Sequence, residues 1–170
     1  MIIIDLEATC GDESYYRDEQ ETIEIGAVDI TGTPREFARF IKPVRHPVIT
    51  QICTALTGIA QRDVDEGDAF SEVLPQLEAW MGGICTFFSW GTFDRDQLHR
   101  DCRWHGIDYP FPSHVNLADV YKKNSGSKHG HRQAMRRLGL TPLGRHHRGI
   151  DDAHNIARLA LEMRKRGWLP

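Results

Sequence analysis

The hydrophobic period of this chain changes once, close to Lys42-Pro43. Before that point three short runs have the composition and alternation of β-strands: Ile2 to Asp5, Thr22 to Ile30 (TIEIGAVDI) and Glu36 to Ile41 (EFARFI). The polar stretch Glu13 to Gln20 reads as a loop, and Thr31-Gly32-Thr33-Pro34 is a turn signal. Consecutive strands of this kind predict an antiparallel meander. After the change the period is helical. Thr50 to Leu56 reads as a short helix closed by Thr57-Gly58. Ala69 to Met81 aligns Phe70, Val73, Leu74, Leu77 and Met81 on one face, and Gly82-Gly83 stops it. Ile84 to Trp90 is a further apolar strand. Helices are predicted over Phe93 to His105, Asn116 to Tyr121, His131 to Leu138 (with Gly139 as C-cap) and Gly149 to Arg166. On the helix from Phe93, Leu98, Cys102 and His105 share one side. On the last helix Ile156, Leu159, Ala160 and Met163 face inward. A meander followed by alternating helix and strand predicts an α/β fold with a mixed sheet.

The 170 residues contain no repeat, low-complexity tract or linker, so a single domain over 1–170 is expected. No apolar run approaches the roughly 20 residues of a membrane span. Ile2 to Ile4 is too short for a signal-peptide core and meets an acid at once. The four cysteines, Cys10, Cys53, Cys85 and Cys102, form no Cys-x-x-Cys pair, which disfavours a zinc knuckle or a redox motif. They are expected to be free thiols in a cytoplasmic protein.

Net charge is only -3, but its distribution is uneven. Asp5, Glu7, Asp12, Glu13, Asp18, Glu19, Glu21 and Glu24 crowd the first 24 residues. Tyr121 to Ile150 has no acid and carries Lys122, Lys123, Lys128, Arg132, Arg136, Arg137, Arg145 and Arg148, with His129, His131, His146 and His147. An acidic centre beside a basic flank suits a metal site that serves a polyanion. A solvated helix face would give the same basic run.

Four acids and a histidine fall at element ends. Asp5 and Glu7 close the first strand, and a period of two puts both carboxylates on one face. Asp94 follows the next buried strand across Gly91-Thr92-Phe93. Asp152 lies near the start of the last helix, and His147 precedes it by five residues. Ligand sites collect at strand ends in α/β sheets. Gathered carboxylates raise one another's pKa, and a hard divalent cation removes the conflict. An all-oxygen set suits Mg²⁺ or Mn²⁺, and two such ions form a clamp for phosphodiester cleavage. A neutral histidine nearby could take a proton from the attacking water. Taken singly, each residue has a plainer explanation: a strand-end acid, a helix-start acid favoured by the macrodipole, one more histidine of a basic loop.

In order and spacing these residues resemble the DEDDh subgroup of the DEDD exonucleases, and the resemblance covers nearly the whole chain. Asp5-Leu6-Glu7-Ala8-Thr9-Cys10 is similar to the first motif in the form used by Eri-type and histone-mRNA-type exoribonucleases and their bacterial KapD-like relatives. His46-Pro47 through Leu56-Thr57-Gly58-Ile59 is similar to the stretch between the first two motifs. Ser89-Trp90-Gly91-Thr92-Phe93-Asp94 resembles the second motif, and Gly144 through Ala157 (GRHHRGIDDAHNIA) the third.

The resemblance implies a ribonuclease-H-like fold: a mixed five-stranded sheet, three strands in an antiparallel meander plus parallel strands, flanked by helices. It implies a 3′→5′ exonuclease that releases nucleoside monophosphates from single-stranded RNA, with DNA as a further substrate. Asp5, Glu7, Asp94 and Asp152 would bind two Mg²⁺ or Mn²⁺ ions, and His147 would be the general base. Asp152 is preferred to Asp151 because it aligns with the family's metal ligand, and His147 to His146 because it lies five residues before Asp152. Asp151 is then expected to cap the helix, and Asp94 is preferred to Asp96 because it follows the aromatic residue. Leu6, Ala8, Thr9, Thr57, Ile59 and Phe93 are implied to contact the terminal nucleotide, and the basic stretch to carry its phosphates. Two other readings are a DNA-preferring exonuclease of the same family and a non-catalytic nucleic-acid-binding or regulatory module. Retention of all five site residues argues against the second.

Overall fold

Ile2-Ile3-Ile4 opens β1 (Ile2–Ala8), the middle strand of a five-stranded sheet. The computed structural model describes residues 1–12, 19–84 and 86–169. Most of the expected loop from Glu13 to Gln20, with Glu13 and Asp18, therefore lies outside the described residues, as does Cys85. β2 (Thr22–Asp29) pairs antiparallel with β1, and β3 (Arg35–Phe40) antiparallel with β2. This is the expected meander. β4 (Thr86–Ser89) and β5 (Ser113–Asn116) extend the other side of β1 in parallel, giving the order β3-β2-β1-β4-β5. The mixed sheet follows from connection length, because parallel neighbours need a helical crossover and antiparallel ones need only a turn.

Helices cover both faces. The first is α1 (Gln51–Thr57), started by the Thr50 side chain and ended by Gly58 in the left-handed region. It is followed by α2 (Gln61–Asp65), α3 (Phe70–Met81), α4 (Phe93–His105), α5 (Leu117–Ser125), α6 (His131–Arg137) and α7 (Gly149–Lys165). Strand alternation divides the core. Ile2, Ile4 and Leu6 pack with Val73, Leu74 and Leu77 of α3 and Leu98 of α4. Ile3 faces the other way, toward Leu117 and Tyr121 of α5 and Ile156, Leu159 and Met163 of α7.

Several expected boundaries move, each for a local reason. β1 continues to Ala8 because Asp5, Leu6 and Glu7 pair with Gly26, Ile25 and Glu24. The acids therefore sit within the ladder. β5 was not anticipated: Ser-His-Val-Asn has no apolar alternation, and it is a short edge strand. Its last residue, Asn116, caps α5 by accepting from the Ala118 amide, so that helix begins one residue later and runs on to Ser125. The five-residue α2 was also not anticipated. Asp151 does not cap α7. The cap is Arg148, and Asp151, in the third helical position, accepts the Arg145 amide at 2.8 Å, bracing the preceding loop.

Candidate active site

Two glycines decide how the site is assembled. Gly26 lies opposite Asp5 in the β1–β2 ladder. A Cβ on it would stand 2.1 Å from the carbonyl carbon of Gly149, and one on Gly149 would stand 3.0 Å from the Asp5 carbonyl oxygen. With both side chains absent, the first turn of α7 rests directly on the sheet. Glu24 fastens it there: its carboxylate accepts from the Gly149 amide (3.0 Å) and from the Arg148 guanidinium (3.1 Å). The helix start thus carries Asp152 over the face of β1 that presents Asp5 and Glu7. From the other side, Gly91 (φ 113°) turns the chain from β4 into α4. Asp94, the second residue of α4, accepts the Leu6 amide at 2.9 Å.

The four carboxylates line one cavity of about 500 Å³, together with His131, His146 and His147. Leu56 and Phe93, 46% and 41% exposed, form part of its apolar lining, and Cys10, Gln20 and Trp90 complete it. Leu6, Ala8 and Phe93 are among the lining residues, as the sequence suggested. Thr9, Thr57 and Ile59 are not. Ile59 is fully buried among Ile23, Cys53 and Val64. The Thr57 hydroxyl donates to the Cys53 carbonyl and accepts the Ile59 amide, and the Thr9 hydroxyl accepts the Glu21 amide. All three are buried, with their side chains engaged inside the fold.

The electrostatics are those of uncompensated crowding. Burial, and then Asp94, Glu7, Asp152 and Glu24, push the Asp5 carboxyl well above its usual range. Burial, and then Glu24, Asp152 and Asp94, raise Glu7 to about 8. Burial raises Asp94 to about 6 despite the hydrogen bonds it accepts from Leu6 and Ser89. Asp152 is the exception. Burial would raise it, but His131, His146 and the His147 amide together bring it down to about 2. Three acids that resist ionisation beside one that is held ionised fit a divalent cation bound through oxygen, which would restore charge balance to all of them. One oxygen of Glu7, one of Asp152 and a ring nitrogen of His147 also lie within 4.8 Å of one another.

A stability consequence follows. Protonated Glu7 and Asp94 are favoured in the fold, so the native state binds more protons than the unfolded chain between the ordinary carboxyl range and their raised values. Stability should then fall as pH rises from about 4 to about 8. The Asp152 contribution has the opposite sign: it is present above its usual value of 3.8 and lost as pH drops toward 2. In EDTA the melting temperature is expected to decline between pH 5 and pH 8. Mg²⁺ or Mn²⁺ should raise it, and by more at pH 8 than at pH 5. A metal-induced rise that is equal at the two pH values would contradict this description of the carboxylates.

The histidines are not equivalent. His147 is the one non-glycine residue with positive φ (62°) among the described residues, and its amide donates to Asp152 Oδ2 at 2.9 Å. Its ring stacks on that of His146 at 3.9 Å. Burial, and then His146, lower its pKa. His146 Nδ1 contacts Asp152 Oδ2 at 2.9 Å, and His131 Nε2 contacts Asp152 Oδ1 at 3.0 Å. His131 was not singled out from sequence, since it sits 21 residues before Asp152 with no motif joining them. Glu24, Gly26 and Leu56 were missed for the same reason. The register of β2 on β1 and the descent of α7 give Glu24 and Gly26 their place, and the position of α1 brings Leu56 to the cavity.

A profile of the exonuclease family, RNase T type, matches residues 2–160. Human ERI1 exoribonuclease 3 is 32% identical over 186 residues, covering 99% of this chain and 54% of the relative. The chain thus spans about half the length of that relative. Among solved structures, the nuclease domain of 3'hExo, described as a DEDDh family member bound to rAMP, superposes with a TM-score of 0.89 at 28% identity. That match covers 98% of this chain and 92% of the other. A 3'-exonuclease solved in the context of histone mRNA stem-loop recognition gives 0.89 at 26% identity, covering 98% of this chain and 63% of the other.

Proposed function

Because the chain belongs to the exonuclease family, in its DEDDh branch with the ERI1-type 3′→5′ exonucleases, we propose that it is a metal-dependent 3′→5′ exonuclease releasing nucleoside monophosphates from single-stranded RNA, with DNA as a lesser substrate. The observation that carries the reading is the convergence of Asp5, Glu7, Asp94 and Asp152 with His147 on one cavity. In this reading the four carboxylates would hold two Mg²⁺ or Mn²⁺ ions. Such ions lower the pKa of an attacking water and stabilise the leaving 3′-oxygen. His147 accepts the proton of that water. Its lowered pKa keeps the ring neutral and able to accept at neutral pH. Leu56 and Phe93 offer exposed apolar surface to the terminal base, a contact that tolerates any sequence. The acid-free stretch from Lys122 to Arg148 supplies cations for the phosphates behind it, so affinity should fall steeply with salt. RNA is favoured because relatives of similar sequence are named exoribonucleases. Cytoplasmic residence is supported by the free thiols Cys10, Cys53 and Cys102. Among the described residues no helix is long and apolar enough to cross a membrane.

Replacing His147 by Ala tests the assignment of the base. Turnover is expected to drop by about two to four orders of magnitude, the usual contribution of a positioned base. Mn²⁺ affinity measured by calorimetry should change little. Unchanged turnover would remove His147 from the mechanism and leave His146 as the candidate. Degradation of RNA and DNA of matching sequence, side by side, separates the exoribonuclease reading from the DNA-preferring one.

A further inference from the structure

His131 and His146 have no task in the proposed hydrolysis, yet both are tied to Asp152, which has one. Two imidazole nitrogens approach the two oxygens of one carboxylate, at 3.0 Å from His131 and 2.9 Å from His146. One ligand atom from each residue lies within 4.8 Å of the other two. We propose that His131, His146 and Asp152 form a second kind of metal site, a transition-metal site for Zn²⁺ or an ion like it, distinct from the oxygen-rich set of Asp5, Glu7 and Asp94.

The donor chemistry separates the two. Mg²⁺ prefers oxygen and has little use for imidazole, whereas two histidines with a carboxylate are a usual Zn²⁺ donor set, leaving a fourth position for water. The site is also preformed. His131 is the first residue of α6, 9% exposed, and its ring is aimed at Asp152. Asp152 is 2% exposed and fixed on α7. His146 sits on the loop before α7, with its side chain 47% exposed. His131 and His146 also line a second cavity of about 500 Å³ that includes Arg132 and Arg136. Both histidines thus stand where two solvent-open cavities meet.

Asp152 belongs to both sets, which has a consequence that rests on the hydrolytic reading above. A Zn²⁺ ion held by the two histidines draws the Asp152 carboxylate away from the hard ions. Zn²⁺ should therefore inhibit hydrolysis in the presence of excess Mg²⁺, and the inhibition should depend on His131.

The test is Zn²⁺ titration of the full chain by calorimetry with wild type, His131→Ala, His146→Ala and Asp5→Asn, followed by Zn²⁺ inhibition of Mg²⁺-supported RNA degradation. One Zn²⁺ site is expected, weakened about tenfold or more in His131→Ala and in His146→Ala, and kept in Asp5→Asn. His131→Ala should still bind Mg²⁺ and should need more Zn²⁺ for half-inhibition. Equal Zn²⁺ affinity in wild type and His131→Ala overturns the site. So does a Zn²⁺ affinity lost in Asp5→Asn, which would place the ion among the acids instead. Zn²⁺ binding that depends on His131 in a protein that degrades no nucleic acid would keep the site and reject the exonuclease reading.

Discussion

Replacing Asp5 by Asn is expected to lower hydrolysis by about a thousandfold or more and to leave the metal-free protein at least as heat-stable as the wild type. The two effects have one cause. Asp5 is pushed upward by burial and by Asp94, Glu7, Asp152 and Glu24. An amide stays neutral there without binding a proton, so the burial and repulsion that oppose an Asp5 carboxylate no longer cost the apo-protein anything. The same change removes one of the four carboxylates that would hold the ions. Stabilisation by bound metal is worth several kcal/mol in the transition state, and each tenfold in rate corresponds to about 1.4 kcal/mol. Activity measured under saturating Mn²⁺ and melting measured in EDTA check the pair. Lost activity with a large drop in melting temperature would mean that Asp5 is instead a structural group.

Replacing Gly26 by Ala is expected to be the most damaging change outside the acids. Its cost comes from collision and not from backbone strain, since Gly26 lies within β2 at an ordinary strand position. The new methyl would fall 2.1 Å from the Gly149 backbone, which has no flexible side chain to swing aside. The start of α7 must then lift, taking Asp152, the His147 amide bond and the Glu24 clamp with it. Overpacking of this kind costs about 3 kcal/mol, roughly 10 °C in melting temperature for a chain of this size. Hydrolysis should fall with it because Asp152 no longer faces Asp5 and Glu7. Gly32→Ala is the control, since a Cβ there meets nothing within 4 Å. Equal stability of the two variants would mean that α7 does not rest on the sheet as described.

Much of this arrangement was legible in the sequence where local chemistry is strong. Ile2 to Ile4 announces a buried strand, and the period of two correctly places Asp5 and Glu7 on one face. Phe70 to Met81 and Gly149 to Lys165 carry their apolar faces in plain helical spacing. What could not be read is what depends on neighbours distant in sequence. Gly26 is an unremarked glycine until α7 descends on it. Glu24 is one acid of eight until it meets Arg148 and Gly149. Thr57 and Ile59 stand in a recognisable motif, yet their burial follows from the packing of α1 against β2 and cannot be read from spacing. β5 escaped notice because four residues of an edge strand need no pattern of their own.

The most direct test of the central claim is the degradation of 5′-labelled single-stranded RNA by the purified protein with Mn²⁺. A ladder shortening from the 3′ end, with nucleoside monophosphates as product, abolished by EDTA and absent in Asp5→Asn, is the expected result. RNA and matching DNA that both stay intact under these conditions would contradict it.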